Sequence, residues 1–144
     1  MTPLLYSAIA IVVALGVAAI VGSRINRRSG VLRETVIADG DRPADPDTSD
    51  LGLSRTGPTI VHFSAAWCGP CAGVRRVVDQ VCADLPEVAH VEIDMDANPA
   101  AARRLAVLSL PTTFVFDANG RQRYRTSGVP EPAGLRSAVA PLLA

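Results

Sequence analysis

The sequence is poor in the side chains that several common functions require. Its 14 basic and 14 acidic residues cancel, so the composition offers no basic excess for binding nucleic acid. Only three cysteines and two histidines are present, whereas structural zinc normally takes four such ligands. On a regular helix Cys71 and Cys82 would lie about 16 Å apart, which is too far to share one metal ion. We therefore expect neither nucleic acid, nor a metal, nor another cofactor among its ligands.

Apolar residues are concentrated at the start of the chain. Residues 4–21 contain no charged side chain, and as a helix they would cover roughly 27 Å, enough for the hydrocarbon core of a bilayer. A cleaved signal peptide is the alternative, but the first three residues include no Lys or Arg and no convincing cleavage site follows. The sequence therefore predicts a single transmembrane helix over residues 4–22, in a protein of the cell membrane.

Charges beside this run predict its orientation. No arginine precedes the run, and four follow it: Arg24, Arg27, Arg28 and Arg33. Because positive charge near a membrane span favours the cytoplasmic side, we expect the rest of the chain to lie in the cytoplasm.

Residues 23–57 are predicted to form a basic juxtamembrane segment and a flexible linker. Residues 39–50 are rich in Asp and Pro, so they bury too little apolar surface to become ordered. Residues 31–37 have strand-forming side chains and are a candidate for an edge strand of the domain that follows. We place that domain at residues 58–144.

Two cysteines three residues apart lie where a strand is predicted to give way to a helix. Residues 60–63 are apolar enough for a buried strand, and residues 72–85 have helical periodicity. Three-residue spacing on a helix brings two Cα atoms near the ~5.5 Å that a disulfide requires. Unpaired N–H groups at the helix start favour a thiolate at Cys68. We therefore predict Cys68 as the nucleophile of thiol–disulfide exchange and Cys71 as the resolving thiol.

The two residues between the cysteines suit this position. Pro70 fits the first turn of a helix, where its missing N–H costs nothing. Gly69 has no side chain and lets the backbone of a partner approach the sulfur.

The sequence Trp-Cys-Gly-Pro-Cys at residues 67–71 resembles the active site of the thioredoxins. Further matches follow in the order expected for that family, at residues 96–99, 109–112, 114–116, 119–120 and 128. The resemblance covers residues 58–144 and implies an α/β thioredoxin fold, with a central mixed β-sheet flanked by helices. It also implies that Trp67 forms an apolar wall beside the dithiol. A cis bond is implied before Pro111, with Leu110 and Pro111 in contact with an extended substrate.

The remaining periodicity agrees with such a fold. It predicts strands at residues 88–95, 113–116 and 121–126, and helices at residues 99–105 and 132–143. On the helix after the cysteines, the predicted core positions are Val74, Val77, Val78, Val81, Cys82 and Leu85. Cys82 is therefore expected to be a buried core residue rather than a regulatory thiol.

One departure from the family pattern concerns proton transfer. Thioredoxins generally carry a buried aspartate six residues before the first cysteine, and a lysine partner on the neighbouring strand; here those positions hold His62 and Glu92. One interpretation is that neutral His62 takes the proton of Cys71 as a general base, while Glu92 stabilises the imidazolium. The alternative is a histidine with a structural role only.

The motif and the resemblance together predict an enzyme, a membrane-tethered protein-disulfide oxidoreductase of the thioredoxin type. Its expected partners are proteins that contain a disulfide, an electron donor that the sequence does not identify, and the membrane. An envelope redox protein of the cytochrome-maturation type, facing outward, is one alternative. A thioredoxin-fold binding module without turnover is another.

Overall fold

The computed structural model describes residues 2–26, 29–35 and 47–144. In chain order the elements are α1 (Thr2–Asn26), β1 (Arg33–Glu34), β2 (Thr59–Ser64), α2 (Cys71–Asp84), β3 (Ala89–Asp94), α3 (Pro99–Arg104), β4 (Thr112–Phe116), β5 (Gln122–Ser127) and α4 (Pro132–Val139), followed by a 3-10 turn (Ala140–Leu143).

The five strands form one mixed sheet in the order β1-β5-β4-β2-β3. Strands β2 and β3 are parallel, and the other neighbouring pairs are antiparallel. All six residues of β2 are buried, because this strand has neighbours on both sides and helices over both faces. The predicted α/β architecture is confirmed.

The core lies on both faces of the sheet. Successive side chains of a strand point to opposite faces, so Ile60 packs with Val74 and Val78 of α2, whereas Val61 and Phe63 pack on the other side with α3. Cys82 packs at the edge of the cluster that contains Ile60 and is only half-buried. The prediction that it is a buried core residue is therefore wrong.

Helix α2 spans Cys71–Asp84, one residue before the predicted range of 72–85 at each end. Its first residue is Cys71, with Pro70 at the N-cap, and Cys68 lies in the turn before it. The last predicted helix, residues 132–143, ends as α4 at Val139 and continues only as the 3-10 turn. Pro141 lies within that turn, and it has no N–H to donate to a longer α-helix.

Within the described part of the predicted edge strand, residues 31–35, only Arg33 and Glu34 form a strand. They pair antiparallel with Arg125 and Tyr124 of β5, and residues 36 and 37 lie outside the described residues. Downstream, Leu51 is buried in the core beside Phe63. The folded unit therefore starts before residue 58, where the sequence places the domain boundary, while residues 39–46 of the predicted linker lie outside the described part.

The segment Tyr6–Ile25 of α1 has a mean hydropathy of 2.3, and none of it is buried. By length and composition, this helix could cross a membrane. A signal sequence near the N-terminus would meet the same criteria.

Candidate active site

The turn between β2 and α2 holds the two cysteines as a closed disulfide. Their Cα atoms are 5.5 Å apart and their sulfurs 2.07 Å. The N–H of Cys68 donates to the carbonyl of Ala65 at 3.0 Å, and the N–H of Cys71 donates to the carbonyl of Cys68 at 3.3 Å. Cys71 is fully buried at the start of α2, whereas Cys68 is half-buried. Of the two cysteines, Cys68 is therefore the one that is partly exposed to solvent.

Trp67 lies on the surface directly before the disulfide, with 66% of its area exposed. Its indole N–H donates to Oδ2 of Asp96 at 3.0 Å. The side chain is thus held by the turn that follows β3, and it presents an aromatic surface next to Cys68.

The loop before β4 lies at the same end of the sheet. The Leu110–Pro111 bond is cis, as the resemblance implies. Thr112, which follows it, pairs with Phe63 of β2, and the carbonyl of Phe63 is 4.0 Å from the sulfur of Cys71. Pro111 is buried, and Leu110 is partly exposed. The fold thus brings Leu110 and Pro111 to the end of the sheet that carries the dithiol.

A network of ionisable side chains lies between β2, β3 and α2. His62 is fully buried; its Nδ1 is 2.9 Å from Nε2 of His90, and its Nε2 is 3.6 Å from Oε1 of Glu92. Nδ1 of His90 lies 3.8 Å from Oδ1 of Asp79. Arg75 binds Glu92 through two nitrogens, at 2.5 to 3.0 Å.

The register between β2 and β3 explains why His62, His90 and Glu92 lie close together. The parallel pairing sets Ile60 beside His90 and His62 beside Glu92, so both β3 side chains share the face on which His62 lies. The sequence prediction includes Glu92 and misses His90. The signal that could have found it is the spacing of two between His90 and Glu92, which places them on one face of a strand.

Burial and charge shift the acidities in this network. Burial lowers the pKa of His62 to about 4, against an opposing effect of the Glu92 carboxylate. Burial also lowers the pKa of His90. The hydrogen bonds from Arg75 lower the pKa of Glu92 to about 2. At neutral pH both histidines are therefore neutral, and Glu92 is ionised.

The low pKa of His62 predicts a loss of stability in acid. As the pH falls from about 6.5 towards 4, the unfolded chain takes up a proton on His62 that the folded chain does not. The free energy of unfolding should fall by up to about 3 kcal/mol across this window. Urea unfolding at a series of pH values measures it. The His62→Gln variant should lack this part of the slope, and equal slopes in both proteins would contradict the expectation.

Among the residues that the structure describes, no cluster of three or more His, Cys, Asp or Glu side chains is arranged to hold a metal ion.

The chain has a mixed sheet, a Cys-x-x-Cys disulfide at the start of a helix and a cis-proline loop at the same end of the sheet. Together these features are typical of α/β proteins with a redox-active dithiol. The thioredoxin family profile matches residues 49–140, and the chain belongs to the thioredoxin family.

Individual relatives agree with this assignment. The chain is 43% identical over 72 residues to thioredoxin of Mycolicibacterium smegmatis, a match that covers 48% of this chain and 62% of that protein. It is 35% identical over 80 residues to thioredoxin of Chlamydia muridarum, covering 56% and 78%. The chain thus spans less than two thirds of the first relative.

Solved structures give the same result. Chloroplastic thioredoxin z superimposes with a TM-score of 0.56 at 33% identity, over 61% of this chain and 80% of that one. A mutant thioredoxin from Halobacterium salinarum superimposes with a TM-score of 0.59 at 27% identity, over 72% and 97%.

Proposed function

We propose that this protein is a membrane-tethered thiol–disulfide oxidoreductase that reduces disulfides in other proteins. The observation that carries the proposal is the unequal exposure of its redox pair, because Cys68 is accessible and Cys71 is fully buried. Such a pair supports a sequence of two exchanges, in which a partner meets only the outer sulfur.

In the first exchange the Cys68 thiolate attacks a sulfur of the partner's disulfide and forms a mixed disulfide. In the second, Cys71 attacks Cys68, closes the intramolecular disulfide and releases the reduced partner. The positive end of the α2 helix dipole favours a negative charge on the sulfur in the turn before it. A reductant must then donate two electrons to the Cys68–Cys71 disulfide and return the pair to the dithiol state.

The surface around Cys68 suits an extended polypeptide. Trp67 supplies an exposed aromatic face, and Gly69 and Pro70 leave the approach to the sulfur free of long side chains. Leu110 and Pro111 border the same end of the sheet. We assign these five residues to substrate binding.

His62 is our candidate for the base that takes the proton of Cys71. It lies on the face of β2 that packs under α2, since its neighbour Ile60 contacts Val74 and Val78. Its neutral form at pH 7 has a lone pair to accept a proton.

A turnover assay tests the proposed activity. The full chain in detergent, supplied with dithiothreitol, should reduce the disulfides of insulin at least about tenfold faster than dithiothreitol alone. The Cys82→Ser variant is the matched control and should retain the rate, since Cys82 is half-buried and its thiol pKa is raised by burial. A rate equal to that of dithiothreitol alone would contradict the proposal and favour a binding module without turnover.

The membrane tether and its orientation form a separate proposal. The support is the apolar helix Tyr6–Ile25, none of which is buried, and the arginines that follow it. In intact cells after mild reduction, Cys68 of a Cys82→Ser chain should react with a permeant maleimide and not with an impermeant one. Labelling by both reagents would place the domain outside the cytoplasm, as an envelope redox protein.

A further inference from the structure

His62 would be a poor proton acceptor if it acted alone. With a pKa of about 4, the imidazolium form of His62 is populated in only about one molecule in a thousand at pH 7. A base that had to hold a full positive charge in this buried position would therefore accept a proton poorly. The contacts of His62 offer a way to avoid that charge.

The two ring nitrogens of His62 have different surroundings. Nδ1 shares a hydrogen bond with His90, and Nε2 is buried without a hydrogen-bond partner. When Nδ1–H donates to His90, Nε2 carries the free lone pair. The second nitrogen of His90 then points towards Asp79, at 3.8 Å.

This arrangement leads from the interior to solvent. The side chain of His62 is completely buried, that of His90 is 21% exposed, and that of Asp79 is 71% exposed. The charged and titratable groups around His62 come from β3 and α2 and are His90, Glu92, Arg75 and Asp79. The β4 neighbour of His62 is Thr113, which carries no charge.

We propose that His62 and His90 form a proton relay between the buried resolving cysteine and solvent at Asp79, with His90 as the positioning residue that lets His62 stay neutral. The inference rests on the proposed function, because it serves the second of its two exchanges.

The relay carries one proton outward while the Cys68–Cys71 disulfide closes. The Cys71 sulfur bonds to the Cys68 sulfur and is oxidised, while the bond from Cys68 to the partner's sulfur breaks and the partner leaves as a reduced thiolate. The Cys71 proton goes to Nε2 of His62, the proton on Nδ1 of His62 goes to Nε2 of His90, and the proton on Nδ1 of His90 goes to Asp79 or to water.

His62 begins and ends this step as a neutral imidazole, with its proton moved from Nδ1 to Nε2. The new Nε2–H faces the ionised Glu92, whose carboxylate lies 3.6 Å away. When the electron donor reopens the disulfide, the Cys71 thiolate takes its proton back from Nε2 and the relay returns to its first tautomer. Oxidation thus exports one proton, and reduction imports it.

A stopped-flow reaction of the reduced full chain in detergent with an equimolar aromatic disulfide, dithiobisnitrobenzoate, separates the two exchanges. The background is Cys82→Ser, so that only the redox pair reacts. The first release of nitrothiobenzoate reports attack by Cys68, and the second reports attack by Cys71. The reaction needs no protein partner, so failure of the insulin assay leaves the relay open to this test.

The His90→Gln variant keeps a hydrogen-bonding side chain but cannot pass a proton on. Its second phase should be slower by about tenfold or more at pH 7, and the difference should vanish at a pH where Cys71 ionises unaided. Its first phase should equal that of the parent chain. Asp79→Asn should slow the second phase to a smaller extent. Glu87→Gln, which removes an exposed carboxylate from the turn after α2, should have no effect.

Two results would overturn the relay. One is a second phase in His90→Gln with the pH profile of the parent chain. The other is a slowing of that phase by the same factor at every pH, because a displaced Cys71 and a structural role of His90 would produce it.

Discussion

Replacement of Cys68 by serine should abolish protein-disulfide reduction, with a loss of at least about a thousandfold in rate. A serine hydroxyl cannot exchange with a disulfide, and Cys71, the other sulfur of the pair, is fully buried. The insulin assay measures this loss. Retention of more than about a tenth of the parent rate would show that the accessible sulfur is not the nucleophile.

Replacement of Cys71 should instead trap the partner. In Cys71→Ser, attack by Cys68 still occurs, but no second thiol lies at the start of α2 to displace the substrate. Covalent complexes that dissolve on reduction should accumulate, and mass spectrometry would identify the trapped proteins. The matched control is Cys82→Ser, which should trap nothing, and equal trapping by both variants would contradict the assigned roles.

A large loss of stability is expected from a substitution in the core on the face of the sheet opposite α2. Phe114 is fully buried and meets the edge of the Phe63 ring, with centroids 5.9 Å apart. The guanidinium of Arg125 lies over the Phe114 ring, 5.0 Å from its centroid. Phe114→Ala should lower the free energy of unfolding by about 3–5 kcal/mol.

Urea unfolding of the full chain in detergent measures this change. Leu108→Ala is the control, since Leu108 is 91% exposed and its loss should change stability by no more than about 0.5 kcal/mol. A loss below about 1 kcal/mol for Phe114→Ala would show that the cavity collapses or that Arg125 fills it.

Much of the fold could be predicted because its signals are local. The apolar run of β2 and the spacing of Val74, Val78 and Val81 on α2 each lie within one element, and both predictions are confirmed. The cysteine pair is equally local, because three-residue spacing at a helix start sets the separation of the two Cα atoms. The cis bond before Pro111 came from resemblance, since the general preference of the bond is trans.

What the sequence left open depends on pairing between distant segments. His90 enters the site only through the parallel register of β2 and β3, which no local pattern specifies. The pairing of Arg33 and Glu34 with β5 likewise joins residues some ninety positions apart in the chain. The sequence also places Cys68 at the helix start, whereas in the structure it lies three residues before α2, in a turn with its own backbone hydrogen bonds.

The short strand β1 limits how far the folded domain can lie from α1. Only six residues separate Asn26, the last residue of α1, from Arg33 in the sheet, and such a segment extends to at most about 25 Å. The polar stretch at residues 39–50 lies after β1, so it adds nothing to this length. With α1 in a bilayer, as proposed, the domain can search only a thin layer next to the lipid surface. Its clients should be membrane proteins, or proteins brought to the membrane, rather than those diffusing freely in bulk solution.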